Sequence, residues 1–318
     1  MSERTVFLNG EYAPESQAKI SIFDAGFRAG DGVYEVTRTY RGEPFRLDRH
    51  LRRLYSSLRY MQIDCGHSPR EMERITLDLL ARNRPLLKEG DDYLIWHNIS
   101  RGVSLRGTHA APATKATVVA YCVPLDLSPY AEDYRRGAHL VTPAVRRTPP
   151  ECLDSRGKIT NKSNHILANL QARLVDPGCL PLMLDLRGFI AESSAANFFS
   201  VADGVVLTPG LRNVLEGITR MEILEIAAEE GIPLRETDLT LYDAVNADEA
   251  FLTTTSFTIL PVGLINGQPL RKSVPGPVTS TLIQAFSRRV GLDLVAQVLR
   301  SARPEAKSVE EARRGVGR

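Results

Sequence analysis

The stretch Gly32-Val33-Tyr34-Glu35-Val36-Thr37-Arg38-Thr39-Tyr40 is β-branched and aromatic and reads as one long strand. Arg41-Gly42-Glu43 turns it into a hairpin with the short run 45–47. Asp48 then caps a helix, because Leu51, Leu54, Tyr55, Leu58 and Met61 fall at helical spacing. Within the strand, Tyr34 and Val36 alternate and share one face. Upstream, residues 6–8 followed by Asn9-Gly10 predict another hairpin, since Asn-Gly tolerates the positive φ of a type I′ turn. Downstream, Ser68-Pro69-Arg70-Glu71 is a capping box that opens a second helix. Runs 93–99 and 116–123 complete a mainly antiparallel sheet, which makes this an α+β unit.

Residues 123–136 carry two prolines, several charges and no periodicity, the pattern of an interdomain linker. It divides a small N-terminal domain, 1–122, from a larger C-terminal one, 137–302. In the larger part the pattern predicts strands at 138–144, 180–185, 197–201, 205–208 and 249–255. Helices are predicted at 162–174, 218–230 and 277–289, the second strongly amphipathic and closed by Gly231. Residues 303–318 are charged and free of aromatics, as a flexible tail would be.

The chain has 318 residues, long enough for two cores. Its 40 basic and 38 acidic side chains leave a net charge of +2, which gives no field for nucleic acid. The four cysteines, Cys65, Cys122, Cys152 and Cys179, are widely spaced, against a disulfide framework or a zinc site. There is no apolar signal core at the N-terminus and no run of the roughly 18–20 apolar residues that a membrane span needs. A soluble cytoplasmic enzyme is the expectation.

Metal-ligand histidine spacing, a phosphate loop and a Gly-x-Ser-x-Gly elbow are all missing from the sequence. What stands out is a scattered polar set. Lys158 precedes a predicted helix, and Glu192 ends a predicted strand before Ser193-Ser194-Ala195-Ala196. Gly217-Ile218-Thr219 opens the amphipathic helix, whose free amides form an anion site. Thr253-Thr254-Thr255 closes a strand, and Arg53 lies on a helix between Leu51 and Leu54. Singly, each has an ordinary explanation as a solvated loop lysine, a turn carboxylate, a strand end or an exposed helix arginine. Together, an amine, an acid and a phosphate site suggest a phosphorylated cofactor.

Five stretches, in order, sharpen this: Asp24–Val36, His50–Leu54, Lys158-Ile159-Thr160-Asn161, Ala191-Glu192-Ser193-Ser194-Ala195-Ala196-Asn197-Phe198-Phe199, and Leu215-Glu216-Gly217-Ile218-Thr219-Arg220. The set resembles the class IV aminotransferases, a family that uses pyridoxal 5'-phosphate. The resemblance implies a two-domain fold type IV enzyme, with a small N-terminal α/β sandwich and a larger C-terminal pseudo-barrel α/β domain. It implies Lys158 as the lysine that forms a Schiff base with the cofactor, and Glu192 as partner of the pyridine nitrogen. Arg53, Gly217, Ile218, Thr219, Thr254 and Thr255 would hold the phosphate, and Leu215 would pack on the ring. Tyr34 and Val36 would line the substrate pocket, and Arg106 would take a substrate carboxylate.

The resemblance further implies an amino donor and a 2-oxo acid as partners, a ping-pong reaction and a homodimer. A D-amino-acid or (R)-amine enzyme is favoured. The alternatives are a branched-chain L-amino-acid aminotransferase, an aminodeoxychorismate lyase-like enzyme and a non-catalytic homologue. Two departures from the family pattern stand out: Ala25 where many members have arginine, and Lys162 where many have a tyrosine near the cofactor.

Overall fold

The structure is a computed structural model that describes residues 3–104 and 115–302. Arg106 and the tail 303–318 lie outside the described residues. The first part contains β1 (Thr5–Leu8), β2 (Glu11–Pro14), α1 (Ala25–Ala29), β3 (Gly32–Tyr40), β4 (Glu43–Pro44), α2 (Leu47–Tyr60), α3 (Pro69–Asn83), β5 (Tyr93–Ser100) and β6 (Thr117–Pro124). Its strands form one sheet in the order β2-β1-β6-β5-β3-β4, with antiparallel pairs throughout. Asn9 and Gly10 take positive φ at the first turn, as the Asn-Gly signal requires. The sheet buries one face against α2 and α3, around Leu51, Leu54, Leu58, Met72, Leu79 and Ile95.

Two local expectations are corrected. The second hairpin returns through Glu43–Pro44, not 45–47, because Arg46 turns left-handed and starts α2 at Leu47. Asp48 therefore sits in the first helical turn, where it favours the positive dipole end without capping it. Ser68 and Glu71 do form the reciprocal capping box at the start of α3.

The second part contains α4 (Ala131–Arg136), β7 (Ala138–Val141), α5 (Ser163–Arg173), β8 (Leu180–Pro181), β9 (Asn197–Ala202), β10 (Val205–Thr208), α6 (Ile218–Glu229), β11 (Leu234–Glu236), α7 (Leu241–Val245), β12 (Glu249–Thr254), β13 (Thr258–Ile265), β14 (Gln268–Pro269), α8 (Pro277–Val290) and α9 (Leu294–Arg300). Its mixed sheet runs β11-β10-β9-β12-β13-β7-β8, with β14 beside β13. One core, around Phe198, Leu252 and Leu260, also receives Leu127, Ala131 and Tyr134. A second, around Phe199, Ile223, Phe251 and Phe286, lies between the sheet and helices α6 and α8.

Residues 123–136 are thus not an aperiodic linker: they end β6, form α4 and bury Ala131 and Tyr134 in the second core. The helix α6 is not simply amphipathic either. Arg220 and Glu222 are buried with its apolar residues, Arg220 against Glu236 and Glu222 against Arg46, Arg49 and Arg289. A polar bridge ties the two parts together: Arg38 on β3 donates to the Ser256 carbonyl and Thr258, and Tyr40 meets the Thr258 hydroxyl at 2.6 Å. Among the described residues no helix is long and apolar enough to cross a membrane.

Candidate active site

Lys158 is positioned by its backbone. The Tyr34 amide donates to the Lys158 carbonyl at 2.9 Å, the Thr160 amide donates to the Gly32 carbonyl at 2.9 Å, and Ile159 bridges Val33. From the other side, the Lys158 amide donates to the Ser57 hydroxyl of α2 at 3.0 Å. A short extended segment therefore lies along β3, and at Gly32 a Cβ would stand 2.7 Å from the Ile99 carbonyl oxygen of β5 and 3.3 Å from Thr160 Oγ1 of that segment. The Lys158 Nζ donates to the Tyr34 hydroxyl at 3.2 Å and lies 4.3 Å from the centre of that ring. Burial, followed by the Arg53 charge, lowers its pKa to about 8 against the pull of Glu35 and Glu192.

Arg53 is not on an exposed helix face; it is 8 % exposed and turned towards β3. Its Nε and Nη2 donate to the two oxygens of Glu35 at 2.9 and 2.6 Å, and its Nη1 donates to the Glu216 carbonyl at 2.7 Å. His50, one turn earlier, places Nδ1 3.0 Å from the same carboxylate. Burial alone would raise the Glu35 pKa, but Arg53 and His50 hold the carboxyl well below the usual range. Burial pushes the His50 pKa down in turn. A neutral His50 donates its Nδ1 proton to this acceptor.

The loop that Arg53 grips leads into α6. Gly217 is its N-cap and supplies no side-chain cap, so the first amides of the helix are without intrahelical acceptors. Gly217 has no room for a side chain, because a Cβ would lie 2.1 Å from Asn197 Oδ1. Asn197 in turn donates to the Leu215 carbonyl at 2.8 Å.

Glu192 is buried at the opposite flank, ahead of β9. Leu215 N–H donates to its Oε2 at 2.9 Å and Arg147 Nε to its Oε1 at 3.0 Å, while His165 Nε2 stands 3.8 Å away. Burial opposes ionisation, yet His165, Arg147 and the Leu215 amide outweigh it and hold the carboxyl below its ordinary pKa.

These groups border one cavity of about 370 Å³. Tyr34, Val36, Arg53, Lys158, Glu192, Leu215, Gly217, Ile218, Thr219, Thr254 and Thr255 all line it, from both sheets. Tyr34 and Val36 do share a face, with Leu94 and Trp96 beside them from the neighbouring strand. Sequence reasoning missed Glu35, His50, Arg147, His165 and Asn197. A signal existed for the first two: Glu35 alternates with Tyr34 and Val36 onto the sheet face that meets His50 and Arg53, which are three residues apart on α2. Outside the cavity lining, His139, Asp176 and Cys179 also bring donor atoms within 4.8 Å of one another, which their sequence spacing did not show. The His139 Nε2 there already accepts from the Gly267 amide.

The family profile for amino-transferase class IV matches residues 32–265. A Methanocaldococcus jannaschii protein, provisionally named a branched-chain-amino-acid aminotransferase, is 36% identical over 285 residues, covering 88% of this chain and 94% of its own. The D-alanine aminotransferase of Bacillus licheniformis is 30% identical over 288 residues, covering 90% of this chain and 96% of its own. Among solved structures, the branched-chain aminotransferase of the thermophilic archaeon Thermoproteus uzoniensis with norvaline superposes with a TM-score of 0.80 at 28% identity, over 91% of this chain and 96% of its own. From the extent of the family match and from these relatives, which span nearly the whole fold that builds the cavity, this chain belongs to the class IV aminotransferases.

Proposed function

We propose that this protein binds pyridoxal 5'-phosphate in the cavity and moves an amino group from an amino acid or primary amine to a 2-oxo acid in ping-pong fashion. The observation that carries the reading is a half-buried amine with a lowered pKa, a buried ionised carboxylate and an anion cradle meeting in one cavity. The donor set fits the cofactor. Arg53, the free amides of Ile218 and Thr219, and Thr254 and Thr255 suit a phosphate. The hydroxyls of Ser155 and Thr253 are buried at this cavity and lack partners among the described residues, as groups awaiting a polar ligand would be.

Bound there, pyridoxal phosphate supplies a carbonyl for the amino group and a ring that accepts the electron pair released when the donor's Cα–H bond breaks. The chain's own residues do the rest. Lys158, readily deprotonated at a pKa of about 8, takes the Cα proton and returns it. Glu192 stays ionised and retains a proton on the ring nitrogen. Leu215 covers one ring face, and Arg53, oriented by Glu35, secures the phosphate.

A D-amino acid or (R)-amine donor is our reading of the substrate, supported by the D-alanine aminotransferase relatives. A branched-chain L-amino acid is the second reading, supported by the apolar wall of Val36, Leu94, Trp96 and Leu153 and by the Methanocaldococcus jannaschii relative. The reading includes a small N-terminal and a large C-terminal domain with the cavity between them. It also includes a homodimer, supported by the exposed apolar side chains Ile166, Leu167, Leu170 and Leu174 on and just after α5. The test mixes holoenzyme separately with D-amino acids, branched-chain L-amino acids and (R)-amines and follows loss of the cofactor's absorbance. Loss with D-amino acids or (R)-amines supports the first reading. Loss with branched-chain L-amino acids alone selects the second, and none with any donor sinks both.

A further inference from the structure

One cation in the cavity has no place in that reading. Lys162 stands at the N-cap of α5, where its side chain caps nothing, and it lines the cavity. Its Nζ lies 3.8 Å from the centre of the Tyr34 ring and 5.9 Å from that of Trp96, two rings stacked 6.0 Å apart on the wall formed by β3 and β5. Lys158 lies against the same Tyr34 ring. Among the described residues no carboxylate comes within ion-pair distance of Lys162 Nζ. The cavity's own acid, Glu192, is occupied by Arg147, His165 and the Leu215 amide, and Asp154 by Arg156. A ring face orients an ammonium but supplies no oxygen acceptor for its three N–H groups.

We propose that Lys162 binds a carboxylate of the substrate. The inference rests on the aminotransferase reading above, which already assigns the phosphate end to Arg53 and α6, the ring nitrogen to Glu192 and the reacting end to Lys158. Through Tyr34, Lys162 neighbours the reacting end, where an amino acid or oxo acid carries its Cα carboxylate and from which a distal one would extend into the cavity. Tyr34 and Trp96 hold the ammonium over the cavity wall with its N–H groups free for an anion. The carboxylate is either the one on Cα or a distal one on a dicarboxylic substrate; both present the same anion to the same amine.

The test uses holoenzyme and three unreactive ligands: propionate, glutarate and the neutral propionamide. Their Kd values are measured by calorimetry for the wild type, Lys162→Met and Lys162→Arg. Losing one charge-assisted contact should weaken propionate and glutarate roughly 10- to 100-fold in Lys162→Met, with propionamide unchanged and Lys162→Arg close to the wild type. Weakening of glutarate alone assigns the distal carboxylate, and weakening of both assigns the one on Cα. Equal weakening of propionamide, or both acids binding as tightly as to the wild type, overturns the inference and leaves the aminotransferase reading intact. A wild-type protein that captures no pyridoxal phosphate overturns that reading and this inference with it.

Discussion

Arg53 on α2 clamps Glu35 on β3 through two hydrogen bonds, Nε to Oε2 at 2.9 Å and Nη2 to Oε1 at 2.6 Å, with both side chains buried. The pair fixes the guanidinium so that Nη1 reaches the Glu216 carbonyl ahead of α6. A strand carboxylate with no access to solvent thereby orients the arginine proposed for the phosphate.

Glu35→Gln strips Arg53 of its counter-ion in a buried setting, so it should cost about 3–5 kcal/mol of stability and weaken pyridoxal phosphate binding. Urea unfolding and a cofactor titration check both. Because the folded Glu35 pKa lies below its unfolded value, this contribution is complete above the ordinary carboxylate range and fades as pH falls through and below it. The variant should therefore lose less stability than the wild type on acidification. Unchanged unfolding midpoints at neutral pH would contradict the role.

Lys158 in cofactor-free protein should capture pyridoxal phosphate faster as pH rises, levelling off above an inflection near pH 8. An inflection above pH 10 would show that burial and Arg53 do not act as argued. The unfolded lysine keeps its proton to higher pH, so between about pH 8 and 10.4 this group's destabilisation of the fold lessens as pH increases. Lys158→Ala should lower kcat by roughly 10²–10⁴-fold in a half-reaction assay.

Arg147 is a positioning residue for Glu192. In Arg147→Met, burial meets less opposition and the Glu192 pKa rises, moving the acidic limb of the kcat profile to higher pH. Arg147→Lys should restore most of the original limb. A uniform loss of kcat with an unmoved profile would assign Arg147 a packing role only.

Leu170→Glu sets a charge in the apolar face of α5 proposed to meet a second copy. Sedimentation should show the dimer dissociation constant rising by more than about 100-fold, since burying an unpaired charge costs several kcal/mol. A variant that sediments like the wild type removes this face from the interface.

Most secondary elements were legible, because strand alternation, capping residues and Asn-Gly turns act over a few neighbours. The exceptions share a cause. Residues 123–136 hid a short helix because six residues, 131–136, are too few for a hydrophobic period to show. In α6, the burial of Arg220 and Glu222 could not be read from the amphipathic pattern, because their partners, Glu236, Arg46, Arg49 and Arg289, come from elsewhere in the chain.

The site divides along the same line. The sequence supplied the candidates that border the cavity: the resemblance of its ordered motifs to the class IV aminotransferases implied Arg53, Lys158, Glu192 and the start of α6, and face alternation put Tyr34 with Val36. Only the tertiary structure decided their surroundings and pairing: Glu35 and His50 behind Arg53, Arg147 and His165 behind Glu192, and Lys162 over Tyr34 with no carboxylate beside it among the described residues. The physical reason is that desolvation and Coulomb interactions depend on distances between atoms of separate elements, which local sequence patterns do not encode.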